Sequence, residues 1–283
     1  MGASPRSILA TINYFDPHLP RGRFDLIEPE CNRMAFEAHD VPVFDIRSAS
    51  QPPALAREGF TLAAHVSEVA RSEEIASTNL RAQPGVPRIN QAYYTELLPL
   101  IGQLSGAREV IPQATGLTVR YSARSQRQSW AGAAGFVHLD VTQQSVGGFL
   151  ESSLAACSRP IAPWRRFVLY QTWRAVTEPP QDNVLALADR RSVPRSDVVL
   201  YDAVIGEKGS VLESVEARSC RYGAEHRWWY ASAMGASDLL VFIGYDSADP
   251  QAVQPFHTGF DVPGCERAIP RGSLEARFFA FYD

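Results

Sequence analysis

His138 and Asp140, separated only by Leu139, lie in a run from Gly135 to Thr142. The run reads as a strand, and side chains alternate faces along a strand, so the imidazole and the carboxylate point the same way. Together they make two thirds of a 2-His-1-carboxylate facial triad, the donor set that holds non-haem Fe(II). With six histidines in the chain, chance supplies an H-x-D in about one such chain in three. A second histidine from a distant strand must therefore complete the set. His226 and His257 are the later candidates.

His257, in Pro255-Phe256-His257-Thr258-Gly259-Phe260, is preferred because Arg271-Gly272-Ser273 follows fourteen residues later and opens the final strand. A guanidinium matches a carboxylate bidentately. Ser273 and Arg277 share its strand face and could add donors. This is the order of 2-oxoglutarate oxygenases, in which an Arg after the second metal His forks onto the distal carboxylate of the cosubstrate. His226 sits in His226-Arg227-Trp228-Trp229-Tyr230, an aromatic strand of the kind that lines a pocket or packs a core.

The elements that must position these residues are mainly strands. β-branched and aromatic runs predict strands at Gly116–Tyr121, Gly135–Thr142, Arg166–Thr172, Val198–Ala203, His226–Ser232, Asp238–Tyr245 and Leu274–Tyr282. Residues 1–50 read as short strands and turns. The apolar spacing predicts helices from Pro53 to about Ala76, from Asn90 to Leu104, and from Gln143 to Ala156. A Pro- and Gly-containing loop is expected at Gln83–Arg88. The pattern points to a mainly β fold with flanking helices, a jelly-roll core. The expected division is an N-terminal extension over 1–106, with two buttressing helices, and a catalytic core over 107–283, forming one integrated domain.

Composition narrows the chemistry. The chain has 283 residues, 45% hydrophobic and 20% charged, which suits a globular enzyme with a sizeable core. A net charge of −4 without basic runs gives no case for nucleic acid or an anionic membrane. No apolar stretch is long enough to span a membrane, and no secretory signal or myristoylation motif is expected. The four cysteines, Cys31, Cys157, Cys220 and Cys265, form no C-x-x-C and fit reduced thiols in a cytoplasmic protein. Lys208, the only lysine, lies in the expected loop Gly206–Ser210, which disfavours Schiff-base chemistry. Phosphate loops, dinucleotide fingerprints and nucleophile elbows are missing.

Seven segments, in order, resemble a bacterial and fungal family of cephamycin-methoxylation proteins, gibberellin desaturase-like proteins, aspergillic-acid hydroxylase-like proteins and endoperoxide-forming oxygenases. They are Val137–Asp140, Tyr170–Arg174, Leu185–Val193, His226–Tyr230, Asp246-Ser247, Pro255–Phe260 and Arg271–Arg277. The resemblance spans about 110–283, with a looser echo in Asn13–Pro17. It implies a double-stranded β-helix, Fe(II), 2-oxoglutarate and O2, and oxidation of a secondary metabolite or its precursor by hydroxylation, desaturation, ring formation or peroxidation. His138, Asp140 and His257 would hold the metal. Arg271, helped by Ser273 and by Arg277 or Gln171, would hold the cosubstrate. Where the family usually has Asn, Pro, Lys and Glu, this chain has Gln171, Ala175, Gly244 and Gly272, so a relative's substrate does not transfer.

The remaining assignments stay open at this level. Trp173, Arg174, Arg191, Trp228 and Tyr230 are candidates for an aromatic, mostly apolar substrate pocket. The two arginines could equally be structural, and Trp228 and Tyr230 could be plain core. Asp140 argues against a halogenase, which needs a vacant ligand position. Two other classes compete: a cupin-like metal-dependent hydrolase or lyase, and a non-catalytic or partner-dependent subunit of a tailoring enzyme. A homodimer or a partner enzyme is compatible with the sequence.

Overall fold

The computed structural model describes residues 4–25, 28–71, 75, 88–127, 132–157, 160–207, 210–265 and 267–283. Strand β7 (Arg166–Ala175) shows how the sequence builds it. Its odd-numbered residues Leu169 and Trp173 join two apolar clusters on one face, and its even-numbered Val168 and Tyr170 join a third on the other, so both faces are buried. β7 lies between β12 (Asp238–Asp246) and β14 (Gly272–Tyr282) in a six-stranded sheet. β4 (Phe60–Ala64) and β5 (Glu109–Pro112) lie at its edges, and β6 (Thr118–Tyr121) pairs with β14.

A five-stranded sheet faces it, in the order β1 (Ser7–Phe15), β3 (Phe36–Asp45), β11 (Trp228–Tyr230), β8 (Asn183–Ala188) and β13 (His257–Asp261). Trp173, Leu185, Leu187, Trp229, Leu240 and Phe242 fill the space between the two sheets, the core of a jelly roll. Helix α1 (Arg88–Ser105) covers the outer face of the six-stranded sheet. It buries Tyr93, Tyr94, Leu97 and Ile101, a stripe at helical spacing. Helix α2 (Gln143–Ala156) starts where predicted because Thr142 and Ser145 form a capping box.

A third sheet, β10–β9–β2, lies against the open side of the core. It joins β9 (Val198–Glu207) and β10 (Ser210–Cys220), an antiparallel pair, to β2 (Gly22–Asp25), parallel to β9. β2 falls among the short strands expected over residues 1–50, whereas β10 was not anticipated. The expected loop at Gly206–Ser210 instead lies largely in the ends of β9 and β10, while Lys208 and Gly209 lie outside the described residues.

Two further expectations differ. The helix from Pro53 to about Ala76 is not formed over residues 53–71, while Ile75 is helical. Gly59 takes φ +89°, a left-handed turn that favours glycine. Phe60–Ala64 then pairs antiparallel with β12. Residues 72–74 and 76, like 83–87 of the expected loop, lie outside the described residues. The run Gly135–Thr142 is not a strand either. His138 makes a single bridge to His257, and Leu139 makes one to Arg218, on opposite sides. His138 and His257 exchange backbone hydrogen bonds of 3.0 Å in both directions.

Among the described residues no helix is long and apolar enough to cross a membrane, and all four cysteines are free.

Candidate active site

The single bridges still present residues 137–140 alternately. Val137 and Leu139 enter an apolar cluster, while His138 and Asp140 face a cavity. The bridge to His138 brings in the first residue of β13. One donor atom each from His138, Asp140 and His257 lies within 4.8 Å of the others. His138 Nε2 stands 3.7 Å from Asp140 Oδ1, and the two imidazole centroids are 4.2 Å apart. His138 Nδ1 donates to the Phe136 carbonyl at 2.8 Å. That bond leaves Nε2 as the lone-pair nitrogen, the tautomer a metal ligand needs.

The electrostatics match that use. Burial lowers the pKa of both imidazoles, and for His257 burial and the adjacent His138 push it down to about 3. Burial would raise Asp140, but Arg277, His257 and His138 outweigh it and hold the carboxyl well below its usual range. Two neutral imidazoles and one carboxylate in a buried cluster can hold a divalent iron.

Asp140 is itself held in place. Arg277 Nη2 donates to its Oδ2 at 2.6 Å, and Arg277 Nε donates to Gln171 Oε1 at 3.0 Å. Gln171 Nε2 is buried without a partner. The neighbouring Gly244 makes room for it, since a Cβ there would come within 2.8 Å of that nitrogen. Gly244 sits at the irregularity in the β12–β7 register between Ile243 and Tyr245. Two of the residues at which this chain departs from the pattern it resembles are thus sterically matched.

Arg271 is the other buried cation of the site, at 2% exposure. Among the described residues no carboxylate lies within ion-pair distance of its guanidinium, and its Nε has no hydrogen-bond partner. The guanidinium carbon stands 5.5 Å from the Trp173 ring centroid. Burial lowers its pKa to about 10, so it stays charged at neutral pH. It lines an inner cavity of about 30 Å³ together with His138, Asp140, His257, Gln171 and Trp173. Ser273 is fully buried on the same strand, and its hydroxyl reaches toward the Arg120 carbonyl at 3.5 Å.

A larger cavity of about 270 Å³ opens beside the triad. Phe24 of β2, Tyr201 and Ala203 of β9, and Val215 and Ala217 of β10 wall it, so the third sheet is its roof. Arg120, His138 and Asp140 line both cavities. The signal for this roof was the alternation Val215-Glu216-Ala217-Arg218-Ser219 in β10, where the odd positions are buried.

The other expected pocket residues separate by strand parity. Trp173 faces inward. Its neighbour Arg174 faces α1, donating to the His65 and Ala236 carbonyls, with its guanidinium carbon 5.4 Å from the Tyr93 ring centroid. Trp228 and Tyr230 point to the outer cluster, and Trp228 Nε1 donates to Tyr14 Oη at 2.6 Å. Trp229, between them, points into the core. Arg191 pairs with Asp189 and Glu58 in a turn and lines neither cavity. His226 pairs with Asp197 at 3.1 Å and packs near Tyr14, apart from the triad.

A family-level match covers residues 13–281 and is described as oxidoreductase/YMDC permease-like domain. The chain is 25% identical to a hydroxylase/desaturase, efuI, of Hormonema carpetanum, over 98% of this chain and 96% of that protein. It is 26% identical to an alpha-ketoglutarate-dependent dioxygenase, tstK, of Talaromyces stipitatus, over 69% and 71%. The fold is similar to that of the iron and alpha-ketoglutarate-dependent endoperoxidase NvfI, with a TM-score of 0.77, 18% identity and 99% of both chains covered.

Proposed function

The chain belongs to the oxidoreductase/YMDC permease-like domain family, and from that premise we propose that it is an Fe(II)- and 2-oxoglutarate-dependent oxygenase acting on a small secondary metabolite. One observation carries the reading: a triad of metal donors and an unpaired, buried guanidinium share one small cavity. A hydrolytic or lyase metal site gives Arg271 no task, whereas a dicarboxylate cosubstrate does.

His138, Asp140 and His257 would hold the iron. Arg271 takes the distal carboxylate of 2-oxoglutarate, and Trp173 under its plane fixes its orientation. Gln171 Nε2 is a further donor in that cavity, whereas Ser273, expected to help, lines neither cavity and directs its hydroxyl at the Arg120 carbonyl. Iron and 2-oxoglutarate, when bound, would supply O2-driven oxidative decarboxylation to succinate and CO2, with the second oxygen atom of O2 as the oxidising equivalent for a substrate C–H bond. The chain's residues exclude water, aim the cosubstrate and hold the substrate under the roof. Trp173 is the pocket residue retained from the sequence reading. Four free cysteines support work in the reducing cytoplasm.

Anaerobic loading with Fe(II) and 2-oxoglutarate, then exposure to O2, should release succinate. Asp140→Ala should abolish that release. Wild-type protein that binds Fe(II) but never yields succinate, with or without a metabolite extract, would overturn the reading.

Arg277 is a positioning residue in this scheme, because it ties one oxygen of Asp140 and leaves the other toward the histidines. Arg277→Met should weaken Fe(II) binding by about 10–100-fold, read by anaerobic calorimetry. Arg277→Lys, which can still donate to Asp140, should recover part of it. Equal affinities in all three proteins would remove Arg277 from this role.

A further inference from the structure

The larger cavity has charges and uncommitted donors, and they are of different kinds. Its two lining cations are both neutralised: Arg277 by Asp140, and Arg120 by Glu275 at 3.0 Å. An anionic ligand group would compete with the carboxylate already paired to each arginine. A cationic group would meet carboxylates already engaged by arginine. A charged ligand group is therefore disfavoured on either sign.

Two of the lining side chains keep a hydrogen-bond donor free. Tyr201 is 3% exposed and lines the cavity, and its hydroxyl has no hydrogen-bond partner among the described residues. Burial raises the pKa of that phenol and the nearby Asp140 charge adds to the rise, so the hydroxyl keeps its proton. Gln113, also 3% exposed, spends its carbonyl oxygen on the Thr115 hydroxyl at 3.0 Å, while its amide NH2 has no partner among the described residues. The other walls are Phe24, Phe136, Phe149, Val141 and Val215. Both donors face the cavity, where a ligand carbonyl can accept from them.

From these groups we infer that the cavity selects a neutral, mainly apolar substrate carrying a carbonyl oxygen, received by Tyr201 and Gln113 as specificity-determining donors. The inference rests on the oxygenase reading, since it concerns the substrate side of the same site. It narrows the substrate to a ketone, ester, lactone or amide on a compact hydrocarbon frame. Carboxylic acids and amines are disfavoured.

Three probes on one skeleton test it: 9-fluorenone, fluorene and fluorene-9-carboxylate. Each is equilibrated anaerobically with the full chain loaded with Fe(II) and 2-oxoglutarate, and binding is read by equilibrium dialysis. Fluorenone should bind about three- to tenfold more tightly than fluorene, the worth of one to two net hydrogen bonds, and the carboxylate should bind most weakly. Tyr201→Phe should reduce the fluorenone preference while leaving fluorene binding unchanged, and Tyr201→Phe with Gln113→Leu should remove it. Fluorenone no tighter than fluorene, a preference that survives the double substitution, or tightest binding by the carboxylate would each overturn the proposal. The charge-transfer absorption of Fe(II) with 2-oxoglutarate, recorded in the same samples, separates the two failures. Its absence counts against the oxygenase reading, and its presence without a carbonyl preference counts against the substrate class alone.

Discussion

Arg271→Leu should abolish the response to 2-oxoglutarate while leaving the apoprotein at least as stable as wild type. The two halves of this expectation have one cause. The guanidinium is buried, charged and without a carboxylate partner among the described residues. An unpaired buried charge is a cost to the folded state, and an apolar side chain of similar reach removes that cost. The same charge is the strongest attraction the cavity offers to a dicarboxylate. Its loss should weaken 2-oxoglutarate binding by about 2–5 kcal/mol, the range for truncating a buried charged pair. Thermal unfolding with and without 2-oxoglutarate, in the presence of Mn(II), reads both: ligand binding to the native state raises Tm by mass action, and the variant should show no such rise. An Arg271→Leu protein with lower apo stability and an undiminished rise would mean that Arg271 is a structural cation.

His257→Ala should remove Fe(II) binding, with a loss exceeding the roughly 100-fold that outer-sphere changes cause, whereas His226→Ala should leave it unchanged. The geometry separates them without ambiguity. His257 brings a donor atom within 4.8 Å of those of His138 and Asp140. His226 is engaged with Asp197 and packs near Tyr14. Anaerobic calorimetry with Fe(II), with circular dichroism to establish folding, gives the comparison. Metal binding that survives His257→Ala but not His226→Ala would dismantle the triad. His257→Ala should also keep the fold, because the bridge from residue 257 to His138 is made by backbone groups.

What could be read in the sequence was the chemistry of each residue and, on long strands, the face it takes. H-x-D and the later His and Arg carry their identities openly, and period two along β14 puts Ser273 and Arg277 on the face opposite Leu274, Ala276 and Phe278. The misses have specific causes. At His226–Tyr230 three aromatics in a row give no alternation, so Trp228 and Tyr230 were read for the pocket while Trp229 faces the core. At Trp173-Arg174 the order of polar and apolar residues inverts the usual rule, because the outer face of β7 is covered by α1 and can bury a cation against backbone carbonyls. Pro53–Ala76 carries apolar residues at spacings that a helix and an edge strand can share, and the decisive residue is Gly59, whose positive φ no periodicity reveals. The roof was missed because β2 has only four residues and gains its partner from a point far along the chain.

The single bridges on either side of His138-Leu139 have a thermodynamic meaning. One backbone contact ties the ligand-bearing segment to β13, and the next ties it to Arg218 of the roof, whose neighbour Ser219 also donates to the Val137 carbonyl at 2.6 Å. Roof and metal donors are therefore neighbours in a continuous hydrogen-bonded ladder rather than independent parts. A ligand that displaces the roof does work on the donor set. Linkage then makes the effect mutual: whatever factor occupancy of the triad adds to affinity under the roof, occupancy under the roof adds to affinity at the triad.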